Sequence, residues 1–84
     1  MNNAVQVKFF ARLREELGVS GLDVPVDKAP DLDSLKRWLG ETHPDWQPKL
    51  DGSLLTAVNQ VMTRTNQTLQ PGDEVALFPP VTGG

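Results

Sequence analysis

The residues that could do chemistry lie at the C-terminal end of the chain, which reads FPPVTGG over residues 78–84. Consecutive prolines hold the backbone extended and cannot continue a β-ladder, so Pro79 and Pro80 direct the last residues away from a folded domain. Gly83 and Gly84 carry no side chain and would fit a cleft that any Cβ blocks. The group that such a tail delivers is its α-carboxylate, which is ionised at neutral pH and reacts only when a partner activates it.

Other reactive side chains are few. The chain has no cysteine, which excludes disulfides, a thiolate nucleophile and thiolate metal ligands. Its one histidine, His43, precedes Pro44, where a helix-terminating or exposed residue is expected more than a catalyst. No second histidine stands near it to complete a metal site, so we expect no metal. We expect a chain that is not catalytic alone and holds no cofactor permanently.

The charge balance limits the partners. With 8 Lys and Arg against 11 Asp and Glu, the chain of 84 residues has a net charge of -3. It has no basic stripe for phosphates, so nucleic acid is not expected as a ligand. The start, MNNAVQVKFF, lacks the regions of a signal peptide, and no stretch approaches the roughly 18 apolar residues of a membrane span. We expect no membrane partner and a cytoplasmic location.

The first elements that must position the tail are two strands and a short helix. Apolar residues alternate over residues 5–9, which predicts a first strand with one buried face. The segment ARLREELG, residues 11–18, favours a short helical connection that ends at its glycine. Residues 21–26 alternate again, and Pro25 confines this second strand to a sheet edge or to a position whose N–H is not needed.

The main helix is predicted within APDLDSLKRWLGETHP, residues 29–44. Asp31 is the expected N-cap, and Gly40 and Pro44 mark the expected end. One apolar stripe at helical spacing is expected to face the core, with Trp38 in it; its members are Leu32, Leu35, Trp38 and Leu39. A loop is expected over residues 45–54, which leaves the surroundings of Trp46 open.

Three more strands complete the prediction, over residues 55–58, 61–64 and 75–78, with turns at 59–60 and 71–72. This order is typical of an α+β, β-grasp (ubiquitin-like) fold: a mixed five-stranded sheet, its first and last strands parallel, with one main helix packed on one face. Residues 1–78 would form this domain, and residues 79–84 a flexible, extended C-terminal Gly-Gly tail. Element order alone leaves other small α+β folds open.

Strand alternation also predicts a docking surface. If residues 5, 7 and 9 face the core, Phe10 lies on the opposite side of the sheet, and the same parity places Phe78 and Met62 outward. Single exposed apolar residues are common on proteins. Three on one side of a sheet predict a partner-binding patch formed by Phe10, Met62 and Phe78.

Three segments resemble a known family. VKFFARLREELG at residues 7–18, AVNQ at 57–60 and GDEVALFPPVTGG at 72–84 are similar to the small, sulfur-carrier subunits of molybdopterin synthase, which are ubiquitin-like proteins. The likeness covers essentially the whole chain, and FPPVTGG is its most specific part. Joined to this strand order, the Gly-Gly end is interpreted as a carrier tail.

The resemblance implies a cycle of sulfur transfer. An E1-like adenylating enzyme would use ATP to make an acyl-adenylate at Gly84, and sulfur would replace AMP to give a C-terminal thiocarboxylate, or 1-thioglycine. The tail, with Gly83, would then enter the large synthase subunit and donate sulfur to a pterin precursor, forming the dithiolene that holds molybdenum. The implied partner-binding residues are Phe10, Met62, Phe78, Pro79, Pro80, Val81 and Thr82. The implied assembly is a heterotetramer, two carriers on a dimeric large subunit.

Three alternatives remain open at this stage. A related carrier could supply sulfur for thiazole or for tRNA thiolation, since such carriers share the fold and the Gly-Gly end. A ubiquitin-like protein modifier would instead join its terminal glycine to a lysine. A domain with a frayed terminus and no carrier function is the third, because glycine-rich chain ends order poorly.

Overall fold

The computed structural model describes residues 3–50 and 54–79. In chain order its elements are β1 (Ala4–Phe9), α1 (Ala11–Leu17), β2 (Gly21–Pro25), α2 (Leu32–Thr42), a 3-10 turn (Pro44–Trp46), α3 (Gln47–Leu50), β3 (Leu55–Val58), β4 (Val61–Thr63) and β5 (Glu74–Phe78). The five strands form one sheet in the order β2-β1-β5-β3-β4. Within the described part of the chain no helix is long and apolar enough to cross a membrane.

The centre of the sheet is a parallel pair, β1 beside β5, with Val7 opposite Val75 and Phe9 opposite Leu77. All other strand pairs are antiparallel. Parallel neighbours need a long crossover, which here contains α2. This mixed sheet with its main helix confirms the predicted β-grasp fold, and Pro25 does lie on an edge strand.

The core lies between α2 and one face of the sheet. Leu35 and Leu39 are fully buried on the helix, as are Val5 and Val75 on the central strands. Burying one such side chain contributes about 1.5 to 3 kcal/mol, so the predicted leucine stripe accounts for the attachment of the helix. Trp38 is only partly buried at the margin of this core.

The predicted end of the main helix is wrong at Gly40 and confirmed at Pro44, which begins the next element. Gly40 lies inside α2, which continues to Thr42, and His43 is its C-cap, with its backbone N–H donated to the carbonyl of Leu39. Gly40 is buried, and a Cβ there would come within 3.6 Å of Gln47. Glycine has a weak helix propensity, so its place inside α2 lowers the stability of the helix. Packing against the following segment compensates for this cost.

The loop predicted over residues 45–54 is wrong for residues 45–50, which are helical. Pro44 begins the 3-10 turn, and α3 follows it directly. The turn is anchored by Trp46, whose ring meets Phe9 edge-on at a centroid distance of 5.6 Å and stacks on His43 at 3.8 Å. Trp46 is therefore packed against the core. The polar residues around it in the chain gave no indication of this packing.

Strand bounds differ from the prediction by one residue at four points, the first being β1, which begins at Ala4. The second strand ends at Pro25, β4 ends at Thr63, and β5 begins at Glu74. The short connection after β1 is helical as predicted and ends at Gly18, which has a φ of 78°. A left-handed conformation of this kind favours glycine at a helix C-terminus.

The N-cap of α2 is Asp31, as predicted. One of its carboxylate oxygens accepts the backbone N–H of Ser34 at 2.8 Å, and the other accepts from the side-chain amide of Asn66 at 3.2 Å. The hydrogen bonds from Ser34, and then that from Asn66, hold the pKa of Asp31 below its ordinary value of 3.8. The ionised carboxylate therefore stabilises the folded state.

Replacement of Asp31 by alanine should lower the melting temperature at pH 7. Because the folded pKa is lowered, this contribution is fully present above pH 3.8 and is lost as the pH falls through the folded pKa. Circular dichroism melts between neutral and acidic pH should show the wild type and Asp31→Ala converging at the acid end. Asp33→Ala is the matched control, since it removes a carboxylate from the same helical turn; an equal loss from both would contradict the capping role.

Thr56 is the one buried polar side chain among the described residues. It is 4% exposed, lies opposite Leu77 and Thr63 in the sheet, and its hydroxyl has no hydrogen-bond partner in the described part of the chain. A buried hydroxyl without a partner costs about 1 to 3 kcal/mol of desolvation.

Thr56→Val should therefore raise the free energy of unfolding by about 1 kcal/mol, because it replaces the hydroxyl by a methyl of similar shape. Urea denaturation measures the change. Thr63→Val is the control, since the hydroxyl of Thr63 does form hydrogen bonds with the backbone of Thr65. Stabilisation by Thr63→Val but not by Thr56→Val would show that the account of Thr56 is wrong.

Candidate functional site

Three residues singled out from the sequence meet on the sheet face that lies away from α2. Phe10, Met62 and Phe78, hereafter the apolar patch, line one hollow of about 460 Å³. The rings of Phe10 and Phe78 meet edge to face with a centroid distance of 5.9 Å. Phe10 is 42% exposed and Met62 54% exposed, so the patch is open to a partner.

The outward position of Phe10 follows from the way β1 ends. Its backbone N–H still donates to the carbonyl of Leu77 at 3.1 Å, which keeps Phe10 in line with the sheet. Ala11 then turns the chain into α1 with a φ of 56°. A left-handed alanine costs about 1 to 2 kcal/mol, so the surrounding structure holds this turn in place.

Two small residues that the sequence analysis missed form the floor of the hollow. Ala76 of β5 lies opposite Ala57 of β3, and Ala57 lies opposite Met62 of β4. Both alanines line the hollow and are at most 8% exposed. Their small side chains leave the space between the larger members of the patch. The parity of Ala76 with Phe78 in β5 and the place of Ala57 opposite Met62 in the hairpin were the signals that could have identified them.

The hairpin that carries Met62 is held to β5 by Asn59. The side-chain amide of Asn59 donates to Asp73 at 3.1 Å and accepts the backbone N–H of Glu74 at 3.0 Å, while its own backbone N–H donates to the carbonyl of Glu74 at 2.8 Å. Asn59 and Gln60 both have positive φ, 51° and 71°, as a tight two-residue hairpin requires. This clamp fixes Met62 relative to Phe78.

Polar groups surround the patch. Gln60 and Glu74 line the hollow beside the aromatic rings, and the ammonium of Lys8 lies 3.2 Å from a carboxylate oxygen of Glu74. Lys8 is 47% exposed, so this ion pair contributes less than about 1 kcal/mol to stability. An apolar centre inside a polar rim is the usual composition of a protein–protein interface.

The base of the predicted tail adjoins the patch. Phe78 is the last residue of β5, and Pro79 follows it half-buried. The remaining predicted site residues, Pro80, Val81, Thr82, Gly83 and Gly84, lie outside the described residues. His43 is placed elsewhere, stacked on Trp46 beyond the end of α2. No cluster of three or more metal-ligating side chains occurs within residues 3–50 and 54–79.

Comparison with known proteins gives consistent results. A sequence profile described as the ThiS family matches residues 7–84. The molybdopterin synthase sulfur carrier subunit of Escherichia coli (strain K12) is 42% identical over 81 residues, covering 95% of this chain and 99% of the relative.

Two solved structures share the fold. SAMP1 from Haloferax volcanii superposes with a TM-score of 0.79 at 30% identity, covering 96% of this chain and 99% of that one. The second structure is a chain from the complex of subunits 1 and 2 of molybdopterin-converting factor from Helicobacter pylori. It superposes with a TM-score of 0.70 at 30% identity, covering 96% of this chain and 99% of that one. The resemblance inferred from the sequence is thereby confirmed, and the chain belongs to the ThiS family.

Proposed function

We propose that this chain is the sulfur-carrier subunit of a molybdopterin synthase. The observation that carries the proposal is the 42% identity to a named carrier subunit over 95% of this chain. The geometry adds support, because an exposed apolar patch adjoins the strand that leads into a Gly-Gly terminus. No reactive side chain is needed, since the reacting group is the terminal carboxylate of Gly84.

The first step of the proposed cycle is activation of that carboxylate. An oxygen of the Gly84 carboxylate attacks the α-phosphorus of ATP on an E1-like adenylating enzyme, and pyrophosphate leaves. The product is an acyl-adenylate, whose AMP is a good leaving group, whereas a free carboxylate offers none. A sulfur nucleophile at the sulfide level, supplied by a partner, then displaces AMP and leaves a thiocarboxylate.

The second step is delivery of sulfur. The thiocarboxylate sulfur of Gly84 attacks a carbon of the pterin precursor in the large synthase subunit, and an oxygen substituent of that carbon leaves. Water then cleaves the resulting thioester, which leaves the sulfur on the pterin and restores the carboxylate of the carrier. Each turn thus exchanges one sulfur on the tail for one oxygen. Attachment to a docked domain keeps the sulfur near its target at a high effective concentration, which lowers the entropic part of the barrier.

Docking at the patch would also limit where the reaction takes place. Six residues separate Phe78 from the carboxylate of Gly84, and a fully extended chain spans about 3.5 Å per residue, or about 21 Å in all. A partner that covers the patch must therefore hold its reactive centre within that distance. The same rule would apply to the adenylating enzyme and to the large subunit, so both would use the same carrier surface in turn.

The proposed assembly is a heterotetramer in which two carriers bind a dimeric large subunit. The structural relative from Helicobacter pylori is a complex of two subunits, which supports a lasting partner for this carrier. The proposed setting is the cytoplasm, because activation of the tail consumes ATP. Light scattering of the mixed subunits should give the mass of two carriers and two large subunits. The mass of a one-to-one complex would contradict the proposed heterotetramer.

A protein modifier is the second candidate, because the small archaeal modifier protein 1 of Haloferax volcanii shares the fold at a TM-score of 0.77 and 28% identity. Mass spectrometry of the protein isolated from cells separates the two functions. A sulfur carrier should show a fraction heavier by about 16 Da, the difference between sulfur and oxygen. A modifier should instead appear in higher-mass conjugates with lysine side chains.

Truncation of the patch should weaken partner binding without unfolding the domain. Central apolar anchors often contribute about 2 kcal/mol or more, so Phe78→Ala should raise the Kd for the large subunit at least about tenfold in calorimetry. Val19→Ala is the control, since Val19 is 39% exposed and lies outside the hollow. Unchanged affinity of Phe78→Ala would show that the patch is not the docking surface.

The position of the terminal carboxylate should be critical. One alanine added after Gly84 moves the carboxylate by about 3.5 Å, and a displacement of about 1 Å can already cost a hundredfold in rate. The extended carrier should fail in a synthase assay with an unchanged melting temperature, and Gly83→Val should be severely impaired. His43→Ala should retain full activity. Dithiolene formation by the extended carrier would refute a terminal sulfur-bearing group.

A further inference from the structure

A second concave surface lies around the β4 edge from the apolar patch. It is a groove of about 620 Å³ between the N-terminal half of α2 and the β3–β4 hairpin, hereafter the groove. Its apolar part includes Leu54 and Leu55, which are half-buried, and its charged part includes Lys36 from α2 and Arg64 from the end of the hairpin. The proposed cycle assigns no role to this surface.

The wall of the groove is held in place by hydrogen bonds. The side chain of Asn66 accepts the backbone N–H of Asp33 at 2.9 Å and donates to Asp31 at 3.2 Å, and the backbone N–H of Leu32 donates to the carbonyl of Gln67 at 3.0 Å. These bonds tie the segment after β4 to the start of α2. The groove is therefore preformed, which reduces the entropic cost of binding.

The floor of the groove contains an unsatisfied polar group. Thr56 lines the groove, is 4% exposed, and its hydroxyl has no hydrogen-bond partner within residues 3–50 and 54–79. Buried polar groups in native proteins are nearly always paired, so an orphan needs an explanation. The hydroxyl is closed to solvent, so docking in the groove depends on the charged and apolar side chains around it.

The charge of the groove is opposite to that of the whole chain. Lys36 and Arg64 line it together with one carboxylate, that of Asp33, which leaves a local charge of +1 in a chain of net charge -3. Among the described residues the ion pair found joins Lys8 to Glu74, and neither cation of the groove has such a partner there. Two cations beside apolar side chains favour a segment that is both acidic and apolar.

The groove and the patch are continuous, because Met62 lines both. A partner that covers the patch must therefore end near the β4 edge or extend around it. The edge itself is open, since β4 is the last strand of the sheet and Val61 is 67% exposed. Extension would bring the partner to Lys36 and Arg64.

We propose that the large synthase subunit, while covering the apolar patch, also docks an extended acidic and apolar segment in the groove. The proposal rests on the proposed function, and it adds a second contact region and its chemistry. Carboxylates of the segment lie beside Lys36 and Arg64, and its apolar side chains contact Leu54 and Leu55. Electrostatic contacts of this kind raise the association rate and the specificity of a complex.

Charge reversal tests the proposal with the full chain and its large subunit. In calorimetry at about 50 mM salt, Lys36→Glu/Arg64→Glu should raise the Kd at least about tenfold, and the effect should shrink at about 300 mM salt, where exposed charges are screened. The control pair Lys28→Glu/Arg37→Glu makes the same change of net charge outside the groove. It should change the Kd by less than about threefold.

Additional measurements keep the test decisive. The neutral pair Lys36→Gln/Arg64→Gln should give an intermediate Kd, and thermal melts check that all variants fold. A carbodiimide, which joins amines to carboxylates in contact, should link Lys36 to an Asp or Glu of the large subunit in the wild-type complex. Tighter binding of the charge-reversed pair would indicate a basic segment and overturn the proposal, as would equal weakening by the groove and control pairs.

The experiments give one set of results if only the groove proposal is wrong and another if the proposed function is wrong. If the wild type binds and Phe78→Ala weakens binding, while the groove pair binds like the wild type, the groove proposal is overturned and the carrier function stands. If the wild type does not bind the large subunit, both are overturned. Self-association of the wild type that is lost in Lys36→Glu/Arg64→Glu would assign the groove to a second copy of the chain and overturn the proposal.

Discussion

The parallel pairing of β1 with β5 is the constraint on which the rest of the structure depends. It sets Phe9 opposite Leu77 in the sheet, so the residues that follow these two, Phe10 and Phe78, emerge on the same outer face with ring centroids 5.9 Å apart. The same pairing places the last strand at the centre of the sheet, between β1 and β3. Phe78, from which the predicted tail continues, therefore lies at the end of the central strand of the sheet, beside the patch.

The two faces of the sheet serve different purposes because side chains alternate along each strand. One face is filled by α2 and its leucines, and burial there provides most of the stability. The other face retains an apolar centre, in which two alanines leave a hollow between larger side chains. Local strain is concentrated beside this centre, with Ala11, Asn59 and Gln60 at positive φ. Hydrogen bonds from Asn59 compensate for part of that strain and keep the hairpin in register with β5.

In the proposed function this domain positions the terminal carboxylate, and its partners make that carboxylate reactive. A carboxylate at a chain end has no intrinsic activity, and the chain contains no cysteine and a single histidine that is stacked on Trp46. Rigid surfaces next to a short tail are sufficient for such a role, since they determine where the terminus is delivered. The groove beside the β4 edge extends the same principle, because a second contact region would orient the carrier on its partner as well as attach it.

The sequence by itself determined the element order, the leucine stripe of α2, the Asp31 cap and the outward parity of Phe10, Met62 and Phe78, because these follow from periodicities of two and 3.6 residues and from local capping chemistry. Only the tertiary structure decided that α2 passes through Gly40 and that the segment around Trp46 is helical, since contacts with Gln47 and Phe9 outweigh weak local preferences. The alanine floor, the Asn59 clamp and the groove were likewise decided there. Each of them joins residues far apart in the chain, and no local pattern records which distant strands become neighbours.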